Sequence, residues 1–517
     1  MKTSGLVTLS LVALLGLASG AFAGRATAAT ESSNLQYFRD LAETDDYSLG
    51  RPVAPKITPD GRSVIFLRSG PRDRVLRLFE LSIADGRERE LLAPETILKG
   101  AEESLSAEEK ARRERQRILS KGFTSFQVSE DGARLLVSLS GRLYVFERAT
   151  QTITPLPGSG WLDPRFSPDG RHVAAAAGGE LHVIDLATAT ERAVTTGATA
   201  TLSHGTSEFV AQEEMGRNEG YWWSPDSRTL LCQETDESAV EVRYLADPLH
   251  PEVVPTRFFY PRVGTPNAVV RLFLVAREGG QRLPVIWDNS RYPYLACVRW
   301  AKSGPLTLLV QNREQTEQVL LLADPATGHT HELLRETDPA WLDLDNDAGP
   351  VTPLWLKGAR QFLWTTERSG RWQVELREAS GAFVRTLTPA DWTYRSLVGV
   401  DEASGTVFVR GSNDPREVQL WTFPLAGGAG RVFTPGRGMQ SAKHFDEPKM
   451  LVRTLELFDG TYRCEAVSTA GKVLATVRSV AETPARWPGT VLTRTVSPHH
   501  PSPAKTHQGD PGELFPP

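Results

Sequence analysis

Two adjacent carboxylates, Glu213 and Glu214, are the residues of this chain whose type and spacing point most directly to chemistry. They lie in Glu208-Phe-Val-Ala-Gln-Glu-Glu-Met-Gly-Arg-Asn-Glu-Gly-Tyr-Trp-Trp-Ser-Pro-Asp226, a short mixed apolar and polar stretch. It runs straight into a Tyr221-Trp222-Trp223 cluster and a Ser-Pro-Asp turn. Neighbouring carboxylates repel, so a fold that aims both one way usually places a cation between them. A metal ion, an arginine or lysine, or the amino group of a ligand would each serve. The bland alternative is a pair of solvated glutamates on a loop. No His-x-x-His or Glu-x-x-His spacing accompanies the pair, so no metal and no cofactor is expected. A nucleophile is missing as well. No Gly-x-Ser-x-Gly elbow occurs in the 517 residues, and no serine has an evident base and orienting acid beside it. No catalytic residue is therefore assigned.

The elements that must position the glutamates follow from a recurring turn. Thr58-Pro-Asp-Gly, Ser129-Glu-Asp-Gly, Ser167-Pro-Asp-Gly and Ser224-Pro-Asp-Ser each precede a run of β-branched and apolar residues. Weaker copies begin at Lys302, Lys357, Glu402 and Asp446. Asp and Gly supply the turn of a hairpin, and a second strand and turn follow most copies. A repeated unit of about four short strands is the signature of a β-propeller, whose blades bury their faces against one another and must close into a ring. The reading is an all-β, eight-bladed β-propeller over residues 35–482. A string of sandwich domains would show linkers, and none is visible.

One segment breaks the strand pattern. Ala101 to Leu119 is dense in Glu, Arg, Lys and Ala, with acidic residues leading and basic ones trailing. That order suits a helix dipole, with Ser104 or Ser106 as cap. It reads as a helix inserted in the first blade. Residues 1–29 read as a signal peptide, with Lys2, an apolar run from Leu6 to Leu17 and a small-residue cleavage site at Ala21-Phe-Ala23. Export to a periplasm or beyond is the expectation. The formal charge of -5 gives no case for nucleic acid or an anionic membrane as partner. Three scattered cysteines, Cys232, Cys297 and Cys464, read as buried free thiols rather than a disulfide framework. Residues 483–517 are Pro-rich and lack strand periodicity, which reads as a disordered tail. Its His499, His500 and His507 have no ligand spacing.

The glutamate segment, Phe209-Val-Ala-Gln-Glu-Glu-Met-Gly-Arg-Asn-Glu-Gly-Tyr-Trp-Trp-Ser-Pro-Asp, closely resembles the propeller of the dipeptidyl peptidase IV family in the prolyl oligopeptidase superfamily. Thr235-Asp-Glu-Ser238 and Tyr260-Pro-Arg-Val-Gly-Thr-Pro-Asn267 extend the resemblance. So does the insert, Arg113-Glu-Arg-Gln-Arg117 with Gly122-Phe-Thr-Ser125, which is similar to the helix of bacterial members and of dipeptidyl peptidases 8 and 9. The resemblance implies that Glu213 and Glu214 grip the free α-amino group of a peptide. It also implies that Arg117 reaches the substrate's peptide carbonyl, with Arg113 or Arg115 taking that role if the alignment slips. One ammonium, with three donors, satisfies two carboxylates that would otherwise repel.

In that family the propeller is followed by an α/β-hydrolase domain carrying the Ser-Asp-His triad. Here the resemblance stops near Glu482 and the Pro-rich run takes over. That change reads as a truncation, a frameshift or a fragmentary gene model. The expectation is the substrate-recognition propeller of a serine exopeptidase that releases X-Pro or X-Ala dipeptides, inactive alone and at most a weak binder of peptide N-termini. A hydrolase domain or a dimer partner would complete it. The competing expectation is a non-catalytic periplasmic peptide-binding or scaffold propeller.

Overall fold

The computed structural model describes residues 35–302, 304–345, 352–434 and 436–484. The expected signal peptide and all but the first two residues of the expected tail lie outside the described residues.

Eight antiparallel sheets follow one another along the chain, each with its strands paired in sequence order. Blade one spans Val53–Leu92, blade two Phe126–Pro155, blade three Leu162–Ala193 and blade four Leu202–Val285. Blades five to eight span Tyr294–Thr337, Leu354–Thr386, Thr393–Val432 and Gly438–Val477. The eight recurring turns read from the sequence are the eight links between the first and second strands of these blades.

The four strong copies share one set of bonds. The Thr58, Ser129, Ser167 and Ser224 hydroxyls donate to Asp60, Asp131, Asp169 and Asp226 at 2.5–2.6 Å. Each also accepts from the backbone N–H five residues on. The glycine of the first three copies has φ near +70°, a conformation that costs a Cβ-bearing residue energy. In the fourth, Ser227 takes that conformation without being glycine.

The second strands are the most buried parts of the molecule. Ser63–Arg68 of blade one is buried at every residue. Apolar clusters lie between neighbouring blades, so the core is a ring of seams. Blades four and five meet through Trp222, Leu231, Leu272, Leu295 and Leu308. Ring closure uses the same device: Ile57, Val64 and Phe66 of blade one pack on Val452, Cys464 and Ala466 of blade eight. Arg68 donates to the Arg478 carbonyl at 2.7 Å and Val480 N–H to the Gly50 carbonyl at 2.9 Å. No strand is exchanged across this seam among the described residues. Cys232, Cys297 and Cys464 are buried and free, as their strand-like surroundings suggest.

The insert leaves blade one after its fourth strand. It returns at Lys121–Gly122, which adds a parallel pairing to the third strand (Val75↔Lys121, Leu76↔Gly122). Its main helix is shorter than the composition implied: Ala107–Arg115 rather than 101–119. Ser106 is the cap, its side chain accepting from Glu109 N–H at 3.1 Å. Glu103, upstream, accepts instead from Gly122 N–H and from Arg113, which holds that stretch off the helix axis. A second irregularity is a hairpin arm of blade four, Val242–Leu245 with Thr256–Phe259, which pairs only with itself.

Candidate functional site

The innermost strand of blade four is interrupted. Leu202–His204 and Tyr221–Trp223 both pair with Thr229–Asp236, and the residues between them leave the sheet as a loop carrying a short helix, Phe209–Glu214. A bridge between Thr206 and Glu219 closes the neck of this excursion. Gly220 sits where the two sides meet. A Cβ there would lie 2.4 Å from the Thr206 backbone, so no other residue fits without moving the neck.

The helix is anchored on its inner side. Ala211 and Met215 are buried, and Val210 and Met215 pack on Ala296, Leu309 and Trp364 of the next two blades. Arg217, nearly inaccessible to solvent, locks the exit of the loop. Its guanidinium donates to the Leu295 carbonyl at 2.8 Å, to Gln233 Oε1 at 2.8 Å and to Glu208, the residue preceding the helix, at 3.0 Å. The aromatic cluster that drew attention in the sequence is structural. Tyr221 donates to the Ala174 carbonyl of blade three at 2.8 Å and Trp222 to Glu219 at 2.9 Å. The remaining carboxylates of the motif are thereby spoken for: Glu208 by Arg217 and Gln233, Glu219 by Arg165 at 2.9 Å.

Glu213 and Glu214 are the exceptions. Both are exposed, and neither has a hydrogen bond or ion pair among the described residues. Glu213 lines a cavity of about 1140 Å³, above the ordinary range for small-molecule pockets. Glu214 stands beside Glu213 in the chain but is not in the cavity lining. The opposite wall is the arginine insert, which contributes Arg112 to Arg117. The floor comes from the first strands of blades one to three, through Lys56, Gln127 and Asp163.

The three arginines named from the sequence have different duties. Arg113 is buried and used up, bonded to Glu103 at 2.7 Å and Glu109 at 2.8 Å. Arg115 reaches across the cavity to donate to Gln212 Oε1 at 2.7 Å, over a sequence separation of 97 residues. Burial pushes its guanidinium below its ordinary value, while Glu213 and then Glu114 and Glu237 pull the other way. Arg117 is exposed, lines the cavity and has no side-chain partner among the described residues. It sits at φ +52° just past the helix end, the position where glycine is usual. Keeping an arginine in that conformation costs energy that its backbone role does not return.

Three further cavity residues had no sequence signal of their own. Gln212 belongs to the motif but drew no separate role. Glu237 lines the cavity, and burial, followed by the charge of Glu208, raises its carboxyl above the ordinary value. Asp163 is pushed up to about 6 by burial, although Arg165 bonds it at 3.0 Å. Among the described residues no group of three or more metal-ligating side chains comes together.

An eight-bladed propeller whose fourth blade extrudes a glutamate-bearing helix toward an arginine insert defines a class, and comparison with known proteins supplies the family. A family model described as the dipeptidyl peptidase IV (DPP IV) N-terminal region matches residues 129–457. This chain belongs to that family.

Among curated relatives, "Inactive dipeptidyl peptidase 10" of Mus musculus is 22% identical over 254 residues, covering 46% of this chain and 31% of its own. "Probable dipeptidyl-aminopeptidase B" of Aspergillus oryzae is 28% identical over 230 residues, covering 40% and 25%. The matches thus span about a third or less of those relatives. The crystal structure of Porphyromonas gingivalis dipeptidyl peptidase 4 superposes with a TM-score of 0.67 at 21% identity, over 84% of this chain and 60% of that one. A putative dipeptidyl aminopeptidase IV from Bacteroides ovatus gives 0.62 at 18%, over 84% and 62%. These likenesses show the fold.

Proposed function

We propose that this propeller is the substrate-recognition part of a dipeptidyl peptidase IV-like serine exopeptidase, binding the free N-terminus of a peptide destined for release of an X-Pro or X-Ala dipeptide. One observation carries the reading: Glu213, with no hydrogen bond or ion pair among the described residues, faces the same cavity as Arg115 and Arg117, which arrive from a separate insert. Carboxylates with no ion-paired cation among the described residues suit a ligand ammonium, which brings three donors. Glu213 and Glu214 take that ammonium in this reading, and Glu214 turns into the cavity to do so. Arg117 takes the first peptide carbonyl, its left-handed backbone aiming a free guanidinium at the cavity. Arg115 orients Gln212 and hence the glutamate helix.

The reading assigns no nucleophile to this polypeptide, so bond cleavage requires a hydrolase domain against the propeller. It also includes export, based on residues 1–29. The test pairs a glycyl-prolyl chromogenic substrate with calorimetric titration of glycyl-proline and its N-acetyl form. The expected result is no turnover, with binding of the free amine only, lost in Glu213→Ala and Glu214→Ala. Equal binding of both forms would overturn the ammonium site, and turnover would overturn the missing nucleophile.

A further inference from the structure

The cavity that holds Glu213 has a second charged feature in its floor. Lys56 lies on the first strand of blade one, Val53–Ile57, and Lys443 on the first strand of blade eight, Gly438–Phe445. Ring closure brings these two strands together. The lysines share a smaller cavity of about 190 Å³ with Ser441, and Lys56 lines both this cavity and the large one.

Neither ammonium is neutralised. Lys302, Lys357 and Lys449 pair with Glu130, Glu447 and Asp401. Lys56 and Lys443 have no carboxylate partner among the described residues. Lys56 donates to the Phe126 carbonyl at 2.6 Å and lies over the Phe126 ring, which leaves two of its three donors unused. Lys443 is exposed, and among the described residues it has the Phe445 ring alone, 5.8 Å away. Burial, and after it the like charge of Lys443, push Lys56 down to about 8. Like charges held together without a counter-ion are the mirror image of the glutamate pair.

We propose that Lys56 and Lys443 form an anion subsite that takes the C-terminal carboxylate of a short peptide whose N-terminus is held at Glu213. This inference rests on the reading of the glutamates as an ammonium site, and it narrows the substrate class to short peptides with both ends free. The large cavity holds the Glu213 carboxylate and the Lys56 ammonium, with Lys443 in the smaller cavity that Lys56 also lines, and this pairing is complementary to a zwitterion. The ends of a short peptide supply both charges without requiring any particular side chain.

Three forms of glycyl-prolyl-alanine separate the two claims by calorimetry: free acid, C-terminal amide and N-acetyl acid. The acid is expected to bind about five-fold more tightly than the amide, the effect of one modest ion pair. Lys56→Met and, separately, Lys443→Met are expected to abolish the difference between acid and amide while keeping the preference for a free amine. Lys443→Met leaves the Lys56–Phe126 bond in place, so it guards against a folding defect. Equal binding of acid and amide by the unaltered protein overturns the anion subsite while the ammonium site stands. So does an acid preference that survives both substitutions. Equal binding of the acid and N-acetyl forms, or binding of none, overturns both.

Discussion

The two walls of the cavity are built on opposite principles. The glutamate wall is an excursion from the middle of a blade, pinned at its neck by Gly220, at its exit by Arg217 and along its inner face by Val210, Ala211 and Met215. The arginine wall is a surface insert held by polar links: Ser106 at its cap, the Glu103–Arg113–Glu109 cluster, and a two-residue strand. Buried apolar contacts make a segment open only with the whole ring, whereas polar links at a surface allow local opening. The helix that carries the carboxylates is therefore fixed in place, and the arginines are carried on the part of the site that yields first. The family model follows the same division, matching from Ser129 onward and so containing the glutamate helix but not the insert.

The sharpest way to break this comparison is Arg217→Met. It leaves Glu208 buried and uncompensated, and urea unfolding is expected to show a loss of about 3–5 kcal/mol together with loss of peptide binding. A loss below 1 kcal/mol would mean that the glutamate wall is not anchored as described.

The next effect comes from Asp163, on the strand beside the same neck. Its carboxyl rises from 3.8 to about 6 in the folded protein, so between pH 4 and 6 the native state holds more protons than the unfolded chain. Stability through this group is present below pH 4 and falls as pH rises through 6, by roughly 2–3 kcal/mol. Asp163→Asn is expected to flatten that decline in thermal melts taken across the window.

Arg113→Met tests the other wall. Its global loss is expected to be about 1–2 kcal/mol, limited by local opening, with hydrogen exchange rising over residues 101–122 and little elsewhere. Exchange rising around the whole ring would erase the distinction between the walls. Ser106→Ala is the mildest change, costing about 1 kcal/mol of local helix stability by the same measurement.

The propeller was legible because each blade begins with the same physical problem, a tight reversal between two buried strands. Blades one to four solve it with Ser or Thr, Asp and a left-handed residue. Blades five to eight use less uniform turns, hence the weaker copies. The helix boundary was misjudged because charge composition cannot show that Glu103 is claimed by Arg113 and Gly122. Among the arginines, sequence could nominate three but not rank them. Arg113 is occupied by two glutamates nearby in sequence, while the partner of Arg115 lies 97 residues away. Lys56 and Lys443 carried no signal at all, since only closure of the ring makes them neighbours.

That closure has a mechanical consequence. Within each blade, neighbouring strands are tied by continuous ladders, such as the eight-residue register between Gly438–Phe445 and Met450–Leu457. Across the closing seam, among the described residues, the backbone link is the single bond from Val480 to Gly50, backed by Arg68, the Arg72–Glu482 and Arg51–Glu456 pairs and an apolar contact. A force applied at residues 50 and 480 would meet its weakest cross-section there, opening the disc like a split washer before any blade sheared. Lys56 and Lys443, on the first strands of the two blades that meet there, stand on either side of that line.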